Sequence, residues 1–199
     1  MVKHILTTKC PRKCSYCISK NIKIEQANYN LMGSNLYYLY KELSSKHNSI
    51  MLTGGEPTQA SYFDIYVVLA RRYFKQVFIT TQDESLLSWK DSKRHFDAIT
   101  FSFHDLKVGK YAVTNGSTVY ASIMSHLYSD WLVINLKKLG YAGLTINENH
   151  FGTEIFNESQ LPQIDGFSIK INRHHKCFKK DTVYIMPDLS IKTSFEEYL

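Results

Sequence analysis

The chain has 199 residues, a length that fits one domain and seldom two. Hydrophobic residues make up 44% and charged residues 21% of it, a composition that is ordinary for a folded protein and argues against a disordered chain. The chain has 24 Lys and Arg and 18 Asp and Glu, so its net charge is +6. This charge favours anionic partners, and it is equally consistent with an ordinary basic surface.

The first half of the chain predicts strands and helices in alternation. Apolar and β-branched runs indicate strands over residues 4–7, 49–52 and 76–81. Apolar residues at helical spacing indicate helices over about 30–45 and 62–73.

The second half continues this alternation up to a terminal hairpin. We expect a strand at 98–103, a helix at 117–128, and strands at 131–136 and 167–171. The stretch 137–163 has no strong period. Two further runs, 182–186 and 191–193, flank Pro187 and Asp188, which suit the centre of a type I turn.

Strand–helix alternation with continuous apolar strands predicts a parallel sheet covered by helices. Six such units leave no room for a second domain of normal size. The sequence also predicts a cytoplasmic chain, because no apolar run nears the roughly 20 residues that span a bilayer. The first ten residues, MVKHILTTKC, lack the pattern of a signal peptide.

Three of the four cysteines, Cys10, Cys14 and Cys17, lie within eight residues. In a reducing compartment such a cluster is more often a metal site than a disulfide pair. Thiolates are soft ligands that suit zinc or iron–sulfur clusters. Pro11 disfavours a helix through Cys10, so we expect these cysteines on a loop.

Two kinds of metal site remain open from the spacing. Structural zinc requires four closed ligands, so the fourth would be Cys177, His174 or His175. A cubane iron–sulfur cluster on three thiolates would instead leave one iron without a protein ligand. An open metal position is where a substrate or cofactor binds.

The second motif, Gly54-Gly55-Glu56-Pro57, directly follows the second predicted strand. Paired glycines let a backbone approach a ligand closely, and Glu56 adds a carboxylate that can accept from an ammonium group. Ligands of parallel sheets bind beyond the carboxyl ends of strands, so this motif and the cysteine loop share one edge. Taken alone, the motif also describes a plain turn.

CPRKCSYC followed by TGGEPT resembles the radical S-adenosylmethionine (radical SAM) superfamily. The resemblance implies an α/β fold, a partial (β/α)6 barrel with parallel strands and a short C-terminal hairpin extension. We expect the barrel over residues 1–175 and the extension over 176–199 of the same domain.

The resemblance also implies the cofactors. Cys10, Cys14 and Cys17 would hold a [4Fe–4S] cluster whose fourth iron binds S-adenosylmethionine, and Tyr16 would lie by the adenine. Gly54, Gly55 and Glu56 would meet the methionine amino group, and Pro57 belongs to the same cofactor-binding motif. Reductive cleavage would release a 5′-deoxyadenosyl radical that removes hydrogen from a substrate, in oxidoreductase or lyase chemistry.

Further cofactor contacts are expected at the ends of later strands. The candidates are Thr80, Ser102, His104 and Asn135, with Lys170 and Asn172 on the last predicted strand. Each of these residues is equally consistent with a polar side chain that is exposed to solvent or caps a secondary-structure element. Cys177 would be a free or packing thiol, because the cysteines that an auxiliary cluster needs do not follow it.

The sequence thus predicts a minimal radical enzyme with an unidentified, nucleotide-like or otherwise anionic small-molecule substrate, or a peptide. A flavodoxin or ferredoxin would donate the electron. The alternatives are an activating enzyme for a glycyl-radical partner protein and a non-catalytic binding module stabilised by zinc or iron–sulfur. The oligomeric state is not predicted.

Overall fold

The protein is described by a computed structural model. It describes residues 1–15, 17, 24, 29–88, 91–105, 117–148, 159, 161–172 and 182–193. The chain divides into two compact units. The first comprises Met1–Thr81, Arg94–Asp97 and Phe178–Leu199, and the second comprises Gln82–Lys93 and Ala98–Cys177. The predicted boundary at residue 175 lies outside the described residues and stays a prediction.

The described residues form nine strands and five α-helices. The strands are β1 Val2–Ile5, β2 Ser49–Thr53, β3 Gln76–Thr81, β4 Ala98–Ser102, β5 Thr118–Met124, β6 Gly143–Asn147, β7 Ser168–Asn172, β8 Val183–Ile185 and β9 Ile191–Lys192. The helices are α1 Tyr29–Lys46, α2 Phe63–Tyr73, α3 Ser85–Ser88, α4 Ser92–His95 and α5 Asp130–Lys138. No helix in this described part is long and apolar enough to cross a membrane.

In the first unit the strand order is β3-β2-β1-β8-β9. All neighbours run parallel except the terminal β8–β9 hairpin. The face that carries His4 lies under α1 and α2, since the His4 ring contacts Tyr40 and Tyr66 at centroid distances of 5.7 and 5.1 Å. Burial of this apolar face on two amphipathic helices holds the unit together.

The predicted terminal hairpin is confirmed. The Leu189 N–H donates to the Met186 carbonyl at 2.9 Å, so Pro187 and Asp188 occupy the centre of a β-turn. Leu189 follows with a φ of 68°, in the left-handed region. β8 then pairs in parallel with β1, which places the hairpin beside the strand that leads to the cysteine loop.

In the second unit the order is β7-β6-β5-β4, and every neighbouring pair is parallel. One face of these strands is apolar and buried, with Phe101, Ala121, Ile123, Leu144 and Ile146. The opposite face is polar. This difference between alternate positions follows from the period of two residues in a strand.

Two predicted elements are wrong. Residues 117–128 were expected as a helix but contain strand β5, whose backbone pairs with β4 and β6 on both sides. Residues 131–136 were expected as a strand but lie in helix α5. The Ser129 hydroxyl caps α5 by accepting from the Leu132 N–H at 3.2 Å, and the buried Leu132, Val133 and Leu136 form a helical stripe.

Short apolar runs fit both the helix period and the strand period, and here the pairing with neighbouring strands decided which element forms. Strand β6 lies in the stretch 137–163, whose residues show no strong helix or strand period. The strands predicted at 49–52, 76–81, 98–103 and 167–171 are confirmed as β2, β3, β4 and β7 within one or two residues.

Candidate active site

The loop of cysteines begins where β1 ends. The Leu6 N–H donates to the Thr53 carbonyl at 2.9 Å, so contact with β2 continues beyond the end of β1. The Lys9 N–H donates to the Thr7 hydroxyl at 3.1 Å, which turns the chain just before Cys10. The loop therefore leaves the sheet at the carboxyl edge of β1, as the sequence predicts.

The Gly54–Gly55 turn lies directly on this segment. The Gly55 N–H donates to the Thr7 carbonyl and the Glu56 N–H donates to the Lys9 carbonyl, both at 2.7 Å. A Cβ added at Gly54 would lie 2.5 Å from the Thr7 carbonyl oxygen, and one at Gly55 would lie 2.2 Å from that of Lys9. The close approach that requires these glycines is an approach to the chain's own backbone.

Glu56 is 3% exposed and its carboxylate is held by protein groups. Its Oε1 accepts from the Thr81 hydroxyl at 2.7 Å, and from the Thr58 N–H and hydroxyl at 3.2 and 3.1 Å. The residue thereby caps the 3₁₀ turn Pro57–Gln59, with the buried Pro57 at its first position. The sequence placed Thr81 at a strand end but did not predict its contact with Glu56, since no local pattern links positions 25 residues apart.

Among the other predicted cofactor contacts, three lie at or just beyond the carboxyl ends of β3 and β4, and the fourth lies on a helix. The Thr80 hydroxyl lies 3.7 Å from the Met51 sulfur. Ser102 ends β4, and the half-buried His104 follows it, both in the second unit. Asn135 was placed at a strand end, but it lies on α5, where its side-chain amide donates to the Trp131 carbonyl at 2.7 Å.

Polar side chains form a ladder across the carboxyl ends of β5, β6 and β7. The Asn172 amide donates to the Asn147 side-chain oxygen at 2.9 Å. The Asn147 amide donates in turn to the Ser122 hydroxyl at 2.8 Å and to the Ile123 carbonyl at 3.0 Å. In register, Ser102 lies beside Ser122. The three side chains of this ladder are uncharged hydrogen-bonding groups that suit amide or hydroxyl groups of a ligand, and the exposed Lys170 lies on the same face of β7.

His4 is a buried titratable group in β1, six positions before Cys10. Its Nδ1 lies 2.6 Å from the Tyr40 hydroxyl, and its Nε2 has no hydrogen-bond partner in the described part of the chain. Burial lowers the pKa of His4 to about 3. The ring is therefore neutral at physiological pH and belongs to the packing between β1 and its helices.

The donor set of the cysteine loop fits an iron–sulfur cluster in its chemistry. Cys10, Cys14 and Cys17 are half-buried thiols, and the Cys17 N–H donates to the Cys14 carbonyl at 3.3 Å. Within the residues that the structure describes, no three His, Cys, Asp or Glu side chains are already gathered around one point. Tyr16, Cys177, His174 and His175 lie outside the described residues.

No protein-family model and no curated protein matches the sequence. Solved structures are similar in fold. Streptococcus suis SuiB bound to S-adenosylmethionine has a TM-score of 0.63 at 10% identity, over 98% of this chain and 58% of that one. SuiB bound to precursor peptide SuiA has a TM-score of 0.66 at 13% identity, over 96% and 58%.

The chain spans about three-fifths of the length of SuiB, since a third SuiB structure is covered to 60% at a TM-score of 0.64. The likeness to SuiB, which binds S-adenosylmethionine, extends over almost all of the present chain. The chain therefore shares the fold of SuiB, an α/β fold with a mostly parallel sheet, which is the fold class that the sequence predicts.

Proposed function

We propose that this protein is a radical SAM enzyme. Cys10, Cys14 and Cys17 would hold a [4Fe–4S] cluster, and the turn formed by Gly54 and Gly55 would meet the methionine part of S-adenosylmethionine. When bound, the cluster and S-adenosylmethionine would supply a 5′-deoxyadenosyl radical for hydrogen abstraction from a substrate. The chain itself would orient the cofactor and exclude water and side reactions.

One observation carries the proposal. The glycine turn is bound by two 2.7 Å hydrogen bonds to the segment Thr7–Lys9, which leads into Cys10. Two motifs that are 37 residues apart in the chain thus form one structural unit at the carboxyl edge of β1 and β2. Ligands of parallel sheets bind at this edge, and the fold is one in which S-adenosylmethionine is bound by SuiB.

For the substrate we propose a peptide in preference to a nucleotide. SuiB binds the precursor peptide SuiA, and the ladder of Ser122, Asn147 and Asn172 is neutral and rich in hydrogen-bonding groups, as amide recognition requires. The basic net charge of +6 supports an acidic peptide or a nucleotide equally. Formation of 5′-deoxyadenosine should rise with a mixed decapeptide library and stay unchanged with a mixture of common nucleotides.

Anaerobic reconstitution with iron and sulfide tests the reaction class. We expect about four irons per chain, as one cubane contains. With dithionite as reductant, added S-adenosylmethionine should then yield 5′-deoxyadenosine. Cys14→Ala should abolish both the cluster and this product, whereas Cys177→Ala, the matched control, should retain both.

The same experiment separates the two alternative functions. A wild type that binds zinc and forms no 5′-deoxyadenosine, together with a Cys177→Ala variant that loses the metal, would favour the non-catalytic binding module with four protein ligands. A stable glycyl radical that appears on a partner protein would favour the activating enzyme. Full product from the Cys14→Ala variant would contradict the proposal directly.

A further inference from the structure

Thr81 is the last residue of β3. Its side chain is 2% exposed, and its hydroxyl donates to Glu56 Oε1 at 2.7 Å. Glu56 is itself 3% exposed. A hydrogen bond from a buried hydroxyl to a buried carboxylate is costly to lose. The carboxylate then has one donor fewer, and water cannot reach the buried oxygen to replace it.

Glu56 Oε1 is fixed by more than this one bond. It also accepts from the Thr58 N–H at 3.2 Å and the Thr58 hydroxyl at 3.1 Å. Donors from two different segments thus converge on one oxygen, so the side chain of Glu56 is held in a single orientation. The sequence suggested a carboxylate that accepts from a ligand's ammonium group, whereas this oxygen binds the chain's own hydroxyls.

The backbone of the same residue is bound to the segment before the cysteine loop. The Glu56 N–H donates to the Lys9 carbonyl at 2.7 Å, and Lys9 precedes Cys10. A continuous path therefore runs from the Thr81 hydroxyl through the Glu56 side chain and backbone to Lys9. A shift of Glu56 would be transmitted to the loop, because both ends of the path are short hydrogen bonds.

We propose that Thr81 is a positioning residue that acts through Glu56. Its hydroxyl fixes the Gly54–Pro57 turn against Thr7–Lys9 and so sets the geometry in which this edge of the sheet binds S-adenosylmethionine. The part of the proposal that concerns S-adenosylmethionine rests on the proposed function. The part that concerns the turn does not.

Amide hydrogen exchange of the protein as purified, without added cofactor, tests the turn. In Thr81→Val the amides of Gly55 and Glu56 should exchange about tenfold faster than in the wild type, because opening of the turn no longer breaks the Thr81 bond. Thr80→Val is the matched control, since its hydroxyl lies near the Met51 sulfur and not near Glu56. Equal exchange in Thr81→Val and wild type would overturn the proposal.

Calorimetric titration of the reconstituted protein tests the link to the cofactor. Thr81→Val should raise the dissociation constant of S-adenosylmethionine about tenfold with unchanged iron content, and Thr81→Ser should restore it to within twofold. A serine variant as weak as the valine variant would refute a role of the hydroxyl. If Thr81→Val does not fold, Thr81→Ala removes the same donor without placing a second methyl group beside Glu56.

The two readouts also separate this proposal from the proposed function. If the wild type binds no S-adenosylmethionine after reconstitution, the proposed function fails, while faster amide exchange in the Thr81 variant would still support the positioning of the turn. If the wild type binds it and Thr81→Val binds it equally well, the proposal for Thr81 fails alone.

Discussion

Substitution of Gly55 by alanine should weaken the contact between the glycine turn and the cysteine loop. The added Cβ would lie 2.2 Å from the Lys9 carbonyl oxygen and 2.7 Å from that of Thr8, about 1 Å inside ordinary contact. Gly55 does not have a positive φ, so the cost arises from this overlap and not from backbone strain. The obstacle is backbone, which cannot rotate away as a flexible side chain would.

The magnitude follows from two effects. Insertion of a methyl group into a packed site costs about 1–3 kcal/mol. Weakening of the two 2.7 Å hydrogen bonds donated by Gly55 and Glu56 adds about 1 kcal/mol each if they are lost. We expect the free energy of unfolding of Gly55→Ala to fall by about 3 kcal/mol, a large part of the stability of a small domain.

Urea unfolding of the reduced protein under anaerobic conditions measures this loss. Gly33→Ala is the matched control, because a Cβ at Gly33 in α1 meets nothing within 4 Å. It should gain about 1 kcal/mol from better helix propensity. Gly55→Ala should also retain less iron after reconstitution. A Gly55→Ala protein as stable as the wild type would refute the close-packing argument.

Three further predictions concern groups outside the loop. The pKa of His4 is lowered to about 3 by burial, below the unfolded value of 6.5, so the unfolded chain binds the extra proton first as pH falls. The free energy of unfolding should therefore drop by about 2 kcal/mol between pH 7.5 and 5.0, and His4→Leu with Tyr40→Phe should remove that part of the slope. Asp97 accepts from the half-exposed Arg71 at 2.6 Å and from the Val77 N–H at 2.8 Å. In urea titrations the free energy of unfolding should therefore fall by about 2 kcal/mol in Asp97→Ala and by less than about 1 kcal/mol in Arg71→Ala. Equal losses in the two variants would contradict this prediction. Leu189→Gly should be more stable than Leu189→Ala by about 1 kcal/mol in thermal unfolding, because only glycine adopts a φ of 68° without strain.

Local patterns were enough to predict much of the fold. The strands β2, β3 and β4 and the terminal turn at Pro187 and Asp188 follow from short apolar runs, glycines and turn residues that act on their immediate neighbours. The family resemblance carried by Cys10, Cys14 and Cys17 and by the motif at Gly54 implied an α/β fold with parallel strands, which the structure and its likeness in fold to SuiB confirm. These features depend on residue type and on distances along the chain.

The tertiary structure decided where two readings of one pattern compete. Residues 117–128 fit either period, and pairing with β4 and β6 made them a strand. The residues after them became a helix, although its cap at Ser129 and its last-turn lysines were readable signals. Pairing with strands distant in sequence satisfies backbone groups that no local pattern accounts for.

The candidate site shows the same division. The sequence determined which groups are present: three thiols, two glycines and a carboxylate at the ends of the first two strands. Only the folded chain decided that the glycines approach Thr7–Lys9 and that Glu56 is turned towards Thr81. The physical reason is that a buried polar group must find its partner wherever the packed strands bring one, and strand packing joins residues that are far apart in the chain.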